Sequence, residues 1–145
     1  MMEQNNTKVY IIRRIHNEIK ENNLVIEFSL VSGNCGVFAI ALKHVLNEGT
    51  LCLINDGGTN RFCHMVLKTD KDEYLDGEGI SNAERLKDRW RHEVIQTFED
   101  EPKILHGCAT DIKVEDMEKI LRLLINGTVK EAKKIYKENC NWYYY

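Results

Sequence analysis

One proline in 145 residues, nine glycines and an aromatic content of 8% leave this chain little from which irregular or low-complexity segments are made. Glycine and proline never gather beyond single turns, so no linker, repeat or biased tract divides the sequence. Its length fits one domain, residues 1–145, with one core and no room for a second of full size. No stretch approaches the roughly 18 apolar residues of a membrane span, and the opening Met-Met-Glu-Gln-Asn-Asn has no secretory pattern. A cytoplasmic protein with no membrane partner is the expectation. A formal charge of −3 supplies no field for gathering phosphates, so no nucleic acid partner is expected either. Five cysteines make an odd, irregularly spaced set without a Cys-x-x-Cys pair. That argues against a disulfide framework and a zinc ribbon and for reduced thiols, with no metal and no cofactor.

Hydrophobic residues (43%) and charged residues (30%) stand in an ordinary globular balance. Val9, Ile11, Ile12, Ile15 and Ile19 recur at helical spacing, which predicts an amphipathic helix over 7–22. Leu24, Ile26, Phe28 and Leu30 alternate with Val25, Glu27, Ser29 and Val31 and predict a strand with one buried face. From Cys35 the run Val37, Phe38, Ile40, Ala41, Leu42, Val45 and Leu46 is apolar on most faces, as in a central helix ended at Asn47-Glu48-Gly49. Strands follow over 50–54 and 61–68, separated by a turn at Asp56-Gly57-Gly58. Ser81-x-x-Glu84 reads as a capping box for a helix carrying Leu86 and Trp90 inward, and 94–98 as another strand. Met117, Ile120, Leu121 and Leu124 form a helical stripe ended at Asn126-Gly127. Thr128-x-x-Glu131 then caps a last helix with Val129, Ala132, Ile135 and Tyr136. Pro102 marks a loop. Helices, a strand cluster and further helices make an α+β layout with mainly antiparallel pairing.

The chemistry concentrates at Gly33-Asn34-Cys35-Gly36-Val37-Phe38-Ala39, a small-residue turn that sets a cysteine at a helix start. Backbone N–H groups and the helix dipole there favour a thiolate. An ordinary thiol, with a pKa near 8.5, is only a few per cent ionised at neutral pH, so a nucleophilic cysteine needs a base beside it. His64 in its strand can take the thiol proton and return it to a leaving group, and a carboxylate on the far ring nitrogen would hold the tautomer. Asp76 fits that third place. With Thr69, Asp70 and Lys71 as a three-residue loop, Lys68 faces Asp72 and His64 faces Asp76 on one side of the sheet. A two-residue loop would set Asp76 opposite Met65 instead. The backbone N–H of Cys35 is the natural oxyanion donor; the Asn34 side chain, or the backbone around Ser32, is the candidate for a second.

The ordinary alternatives are specific. Cys52, Cys63, Cys108 and Cys140 lack such a context and read as structural, and His16, His44, His92 and His106 have no matching partner. Glu78 rivals Asp76, whose setting in Asp76-Gly77-Glu78-Gly79 also suits a turn. A zinc site of Cys52, Cys63 and His64 is disfavoured because adjacent strand residues point to opposite faces. Arg85, Lys87, Arg89 and Arg91 interleave with Glu84, Asp88 and Glu93 as on a solvated helix face. Trp142-Tyr143-Tyr144-Tyr145 reads as a docking strip or a packed tail.

Over residues 33–79 the chain resembles the papain-like superfamily, and within it the transglutaminase-like branch. Residues 33–39 resemble that branch's Gly-Gln-Cys-Trp-Val-Phe-Ala signature, with Gly36 in place of the aromatic residue, and a strand histidine and strand aspartate follow in the same order. The resemblance implies Cys35 as nucleophile, His64 as general base and acid, and Asp76 as the residue that orients it. It also implies a cysteine-bearing helix packed on an antiparallel sheet that bears the histidine and aspartate. The expected activity is thiol-dependent acyl transfer through a thioester on a protein or peptide substrate, of protease, amidase, deamidase or transglutaminase type. The alternative is a non-catalytic module that keeps the fold and recognises or inhibits a protein partner.

Overall fold

The computed structural model describes residues 2–31, 33–55, 62–90, 94–98 and 112–140. The chain runs α1 (Met2–Glu21), α2 (Leu24–Glu27), α3 (Cys35–Leu46), β1 (Thr50–Asn55), β2 (Phe62–Lys68), β3 (Tyr74–Asp76), β4 (Gly79–Ser81), α4 (Ala83–Trp90), β5 (Val94–Phe98), α5 (Val114–Ile125) and α6 (Val129–Asn139). The strands form one antiparallel sheet in the order β4-β3-β2-β1-β5. The α+β class with antiparallel pairing is therefore the observed one. The proline loop at Pro102, the turn at Asp56-Gly57-Gly58, Arg61, Arg91, His92, Glu93, His106, Cys108 and the aromatic end at 142–145 lie outside the described residues. No described helix is long and apolar enough to cross a membrane.

Strand alternation divides the interior in two. Leu51, Met65, Leu67 and Leu75 point to the face where α3 lies, joining Ile15, Ile19, Phe38, Leu42, Met117, Ile120 and Leu124 in the main core. Cys52, Ile54, Val66 and Tyr74 point the other way and gather around Leu86 of α4. The apolar character of α3 on most faces follows from its place: it touches the sheet on one side and α5 on the other.

One predicted element fails. Residues 24–30 form a single helical turn followed by tight turns, not a strand. The apparent alternation breaks at Ile26, which is 77% exposed. Leu24 and Phe28, four apart, are both buried, and the Phe28 N–H donates to the Leu24 carbonyl at 2.9 Å. Positive φ values at Asn23 (55°) and Ser29 (51°) turn the chain at each end. The spacing of two and the spacing of four both fit this short run, and burial against Tyr136, whose ring lies 4.7 Å from that of Phe28, selects the helical one.

Two caps also differ from expectation. The α4 cap is Asn82 rather than Ser81: its Oδ1 accepts the Arg85 N–H at 2.8 Å, the Ncap-to-N3 pattern. Thr128 precedes α6 as expected, but its hydroxyl donates back to the Leu123 carbonyl at 2.9 Å and so closes α5. Gly127, at φ 75°, is the left-handed residue that ends α5.

Candidate functional site

Local structure brings Cys35 to the first turn of α3. Asn34 is its N-cap position and accepts the Phe38 N–H on its carbonyl at 2.9 Å, while the Asn34 N–H donates to Ser29 O at 2.9 Å. The Asn34 side chain does not face outward. It is fully buried, and its Nδ2 donates to Phe28 O at 3.0 Å and to Tyr136 Oη at 3.2 Å. The residue named as a second oxyanion donor thus ties the turn before Cys35 to α6. Ser32, the other candidate, lies outside the described residues.

His64 and Asp76 meet on the sheet. His64 Nε2 lies 2.8 Å from Asp76 Oδ2, with both side chains almost wholly buried. The register that produces this differs from the expected one by two residues. Lys68 pairs with Tyr74 and Leu67 with Leu75, so the loop covers 69–73 and Asp76 falls level with Val66. Thr69 explains the longer loop: its Oγ1 accepts the N–H of Lys71 (3.2 Å) and of Glu73 (3.3 Å), and its own N–H donates to Glu73 O at 2.8 Å. A shift by two preserves the side-chain face, so His64 and Asp76 become diagonal rather than direct neighbours.

By strand parity both residues belong to the α4 side of the sheet, whereas Cys35 comes from the α3 side. They converge at a strand end. The last β2 to β3 pair is Leu67 with Leu75, so toward His64 that edge of β2 has no paired strand among the described residues. The β1 to β2 register also slips between Ile54 and Asn55, beside the histidine. The imidazole there is influenced from both layers: Asp76 is bonded to it, and Asp76 and Cys35 both raise its pKa.

These contacts fix the protonation states. Burial lowers the His64 pKa, but hydrogen bonding to Asp76 and Cys35 and their charges outweigh it, and the net direction is upward. Burial raises the Asp76 pKa, and His64, Arg89 and the Glu78 N–H reverse it to a net depression. The carboxylate is shared economically. Oδ1 accepts the Glu78 N–H at 2.9 Å, completing an Asx turn, while Oδ2 takes His64. Asp76 is both the turn residue and the histidine's partner, whereas Glu78 is exposed and reaches Arg89 Nη1 at 3.7 Å. Because a carboxylate only accepts, Nε2 carries the proton and Nδ1 is the basic nitrogen. Nδ1 is buried and has no hydrogen-bond partner among the described residues.

Three residues of this site were not legible as such in the sequence. Arg89, grouped with a solvated helix face, directs Nη2 onto Asp76 Oδ2. Trp90 stacks on His64 with ring centroids 4.1 Å apart and planes 14° from parallel. His16 of α1 donates Nε2–H to the Asp76 carbonyl at 2.9 Å, and burial lowers its pKa so that it stays neutral. The available signal was helical spacing: Arg89 and Trp90 lie three and four residues beyond the buried Leu86, on the side that faces the sheet.

Cys52 and Cys140 are buried, and the Cys52 thiol is pushed up chiefly by burial. Among the described residues no three His, Cys, Asp or Glu side chains form a metal-binding group. Compared with known proteins, the chain matches no family model, no curated protein and no solved structure. The functional argument therefore stands on the site itself.

Proposed function

We propose that this protein is a thiol-dependent acyl-transfer enzyme of papain-like, transglutaminase-like design, with Cys35 as nucleophile, His64 as general base and acid, and Asp76 as the orienting carboxylate. The observation that carries the reading is one buried imidazole whose Nε2 is bonded to a carboxylate and whose pKa is raised by a nearby helix-start cysteine as well as by that carboxylate. In the mechanism, His64 Nδ1 takes the Cys35 proton. The thiolate attacks the carbonyl carbon of an amide, ester or thioester in a protein or peptide, and the oxyanion faces the backbone N–H at the start of α3. The imidazolium gives its proton to the leaving amine, alcohol or thiol as the thioester forms. Water or an amine, deprotonated by His64, then resolves the thioester. Asp76 keeps Nε2 protonated throughout and stabilises the imidazolium.

Alkylation by iodoacetamide across pH, with the modified cysteine located by peptide mapping, tests this. Cys35 should react with an apparent pKa well below 8.5, and His64→Ala should abolish that low-pH reactivity. A Cys35 that reacts only as an ordinary thiol defeats the proposal. One observation favours a second reading, a binding module without turnover: Cys35 is 2% exposed, His64 0% and Asp76 2%. An inert Cys35 in a folded protein that binds a defined protein partner would decide for it.

A further inference from the structure

We infer that Arg89 is a positioning residue that sets the pH window of the Cys35 and His64 pair by sharing the oxygen of Asp76 on which the imidazole rests. This rests on the proposed function and adds to it a regulator of the same site. The geometry is specific. Arg89 Nη2 and His64 Nε2 both meet Asp76 Oδ2, while Oδ1 is occupied by the Glu78 N–H. The titratable and charged groups meeting at this carboxylate are His64 from β2, Arg89 from α4, His16 from α1 on the carbonyl, and Glu78 from the turn through Arg89. Cys35 of α3 joins them through His64.

Charge balance gives the consequence. In the reactive state the buried thiolate, imidazolium and carboxylate and the guanidinium sum to zero, with the exposed Glu78 carboxylate outside that set. Without Arg89 the same buried site carries one negative charge. Added negative potential makes the thiol harder to ionise and the imidazolium harder to deprotonate, so both limbs of the reactivity profile move upward. Arg89 thus holds the window down while keeping Asp76 ionised and in place. Its side chain is 30% exposed, so solvent screens it, and the expected displacement is about half to one pH unit.

The experiment is the rate of Cys35 alkylation by iodoacetamide against pH in the full chain and in Arg89→Gln, Arg89→Lys and Glu78→Gln. In Arg89→Gln both limbs should rise by about half to one pH unit, and Arg89→Lys, which keeps the charge, should return them toward the parent profile. Glu78→Gln, on the exposed turn, removes the second carboxylate that shares the guanidinium and should move both limbs downward. A purely structural Arg89 would lower the rate without displacing the limbs. Limbs that stay at their parent pH in both Arg89→Gln and Glu78→Gln overturn the inference and leave the proposed function standing. A parent protein with no depressed Cys35 pKa overturns both.

Discussion

Replacing Asp76 with asparagine removes one charge and almost no volume from the most buried part of the site. The single amide oxygen can replace only one carboxylate oxygen. On the His64 side it still accepts from Nε2 but turns the NH2 toward the Glu78 N–H, and on the other side it keeps the Asx turn but turns the NH2 toward the imidazole. The charge that opposes burial of the imidazolium is lost, and Arg89 loses its carboxylate. A hydrogen bond to a charged group contributes roughly 1.5–3 kcal/mol, and the partly exposed Arg89 can relax toward Glu78 and water. A net loss of about 2 kcal/mol follows, or roughly 6 °C in melting temperature for a chain of this length. The pH dependence is sharper than the magnitude. The depressed Asp76 stabilises the fold fully above its unfolded pKa and loses this as pH falls through the folded one. The raised His64 contributes fully below its unfolded pKa and loses this as pH rises through its folded one. Their joint contribution is therefore complete between the reference values of 3.8 and 6.5. Urea denaturation of the parent and Asp76→Asn at several pH values should show a difference that is largest in that window and shrinks on either side. The His64 ring, followed by NMR, should titrate lower in the variant than in the parent, because burial is then opposed by Cys35 without the Asp76 charge. An unchanged ring titration, or a stability difference independent of pH, would refute the reasoning.

Three further substitutions test the supports. Gly77→Ala places a Cβ 2.4 Å from Leu30 Cβ, an atom with no freedom to swing away; we expect about 1–3 kcal/mol of destabilisation in chemical denaturation, with Cys35 alkylation slowed because this turn carries Asp76. Asn34→Ala removes the buried donor to Phe28 O and Tyr136 Oη; a loss of about 1–3 kcal/mol should appear in the same assay, and a stable Asn34→Ala would contradict the structural role assigned to that amide. Asn82→Ala removes the α4 cap; calorimetry should record a loss of about 1 kcal/mol, and the His64 titration should move as α4 loosens its hold on Arg89 and Trp90.

What the residues themselves determined is local. Small residues before a long apolar run place a cysteine at a helix start, because glycine and asparagine permit the turn and the following side chains demand burial. The parity of two strands joined by a turn puts His64 and Asp76 on one face, and parity survived a register change of two residues. Local pattern did not determine the layer from which Cys35 approaches, the loop length set by the Thr69 hydroxyl, or the inward commitment of the Asn34 amide to α6. Nor did it separate a strand from a helical turn at 24–30, where two periodicities coincide. Arg89, Trp90 and His16 entered the site only through the docking of α4 and α1 against the strand ends. A side chain's face follows from neighbours one turn or one residue away, whereas its partner across the sheet depends on how whole elements pack.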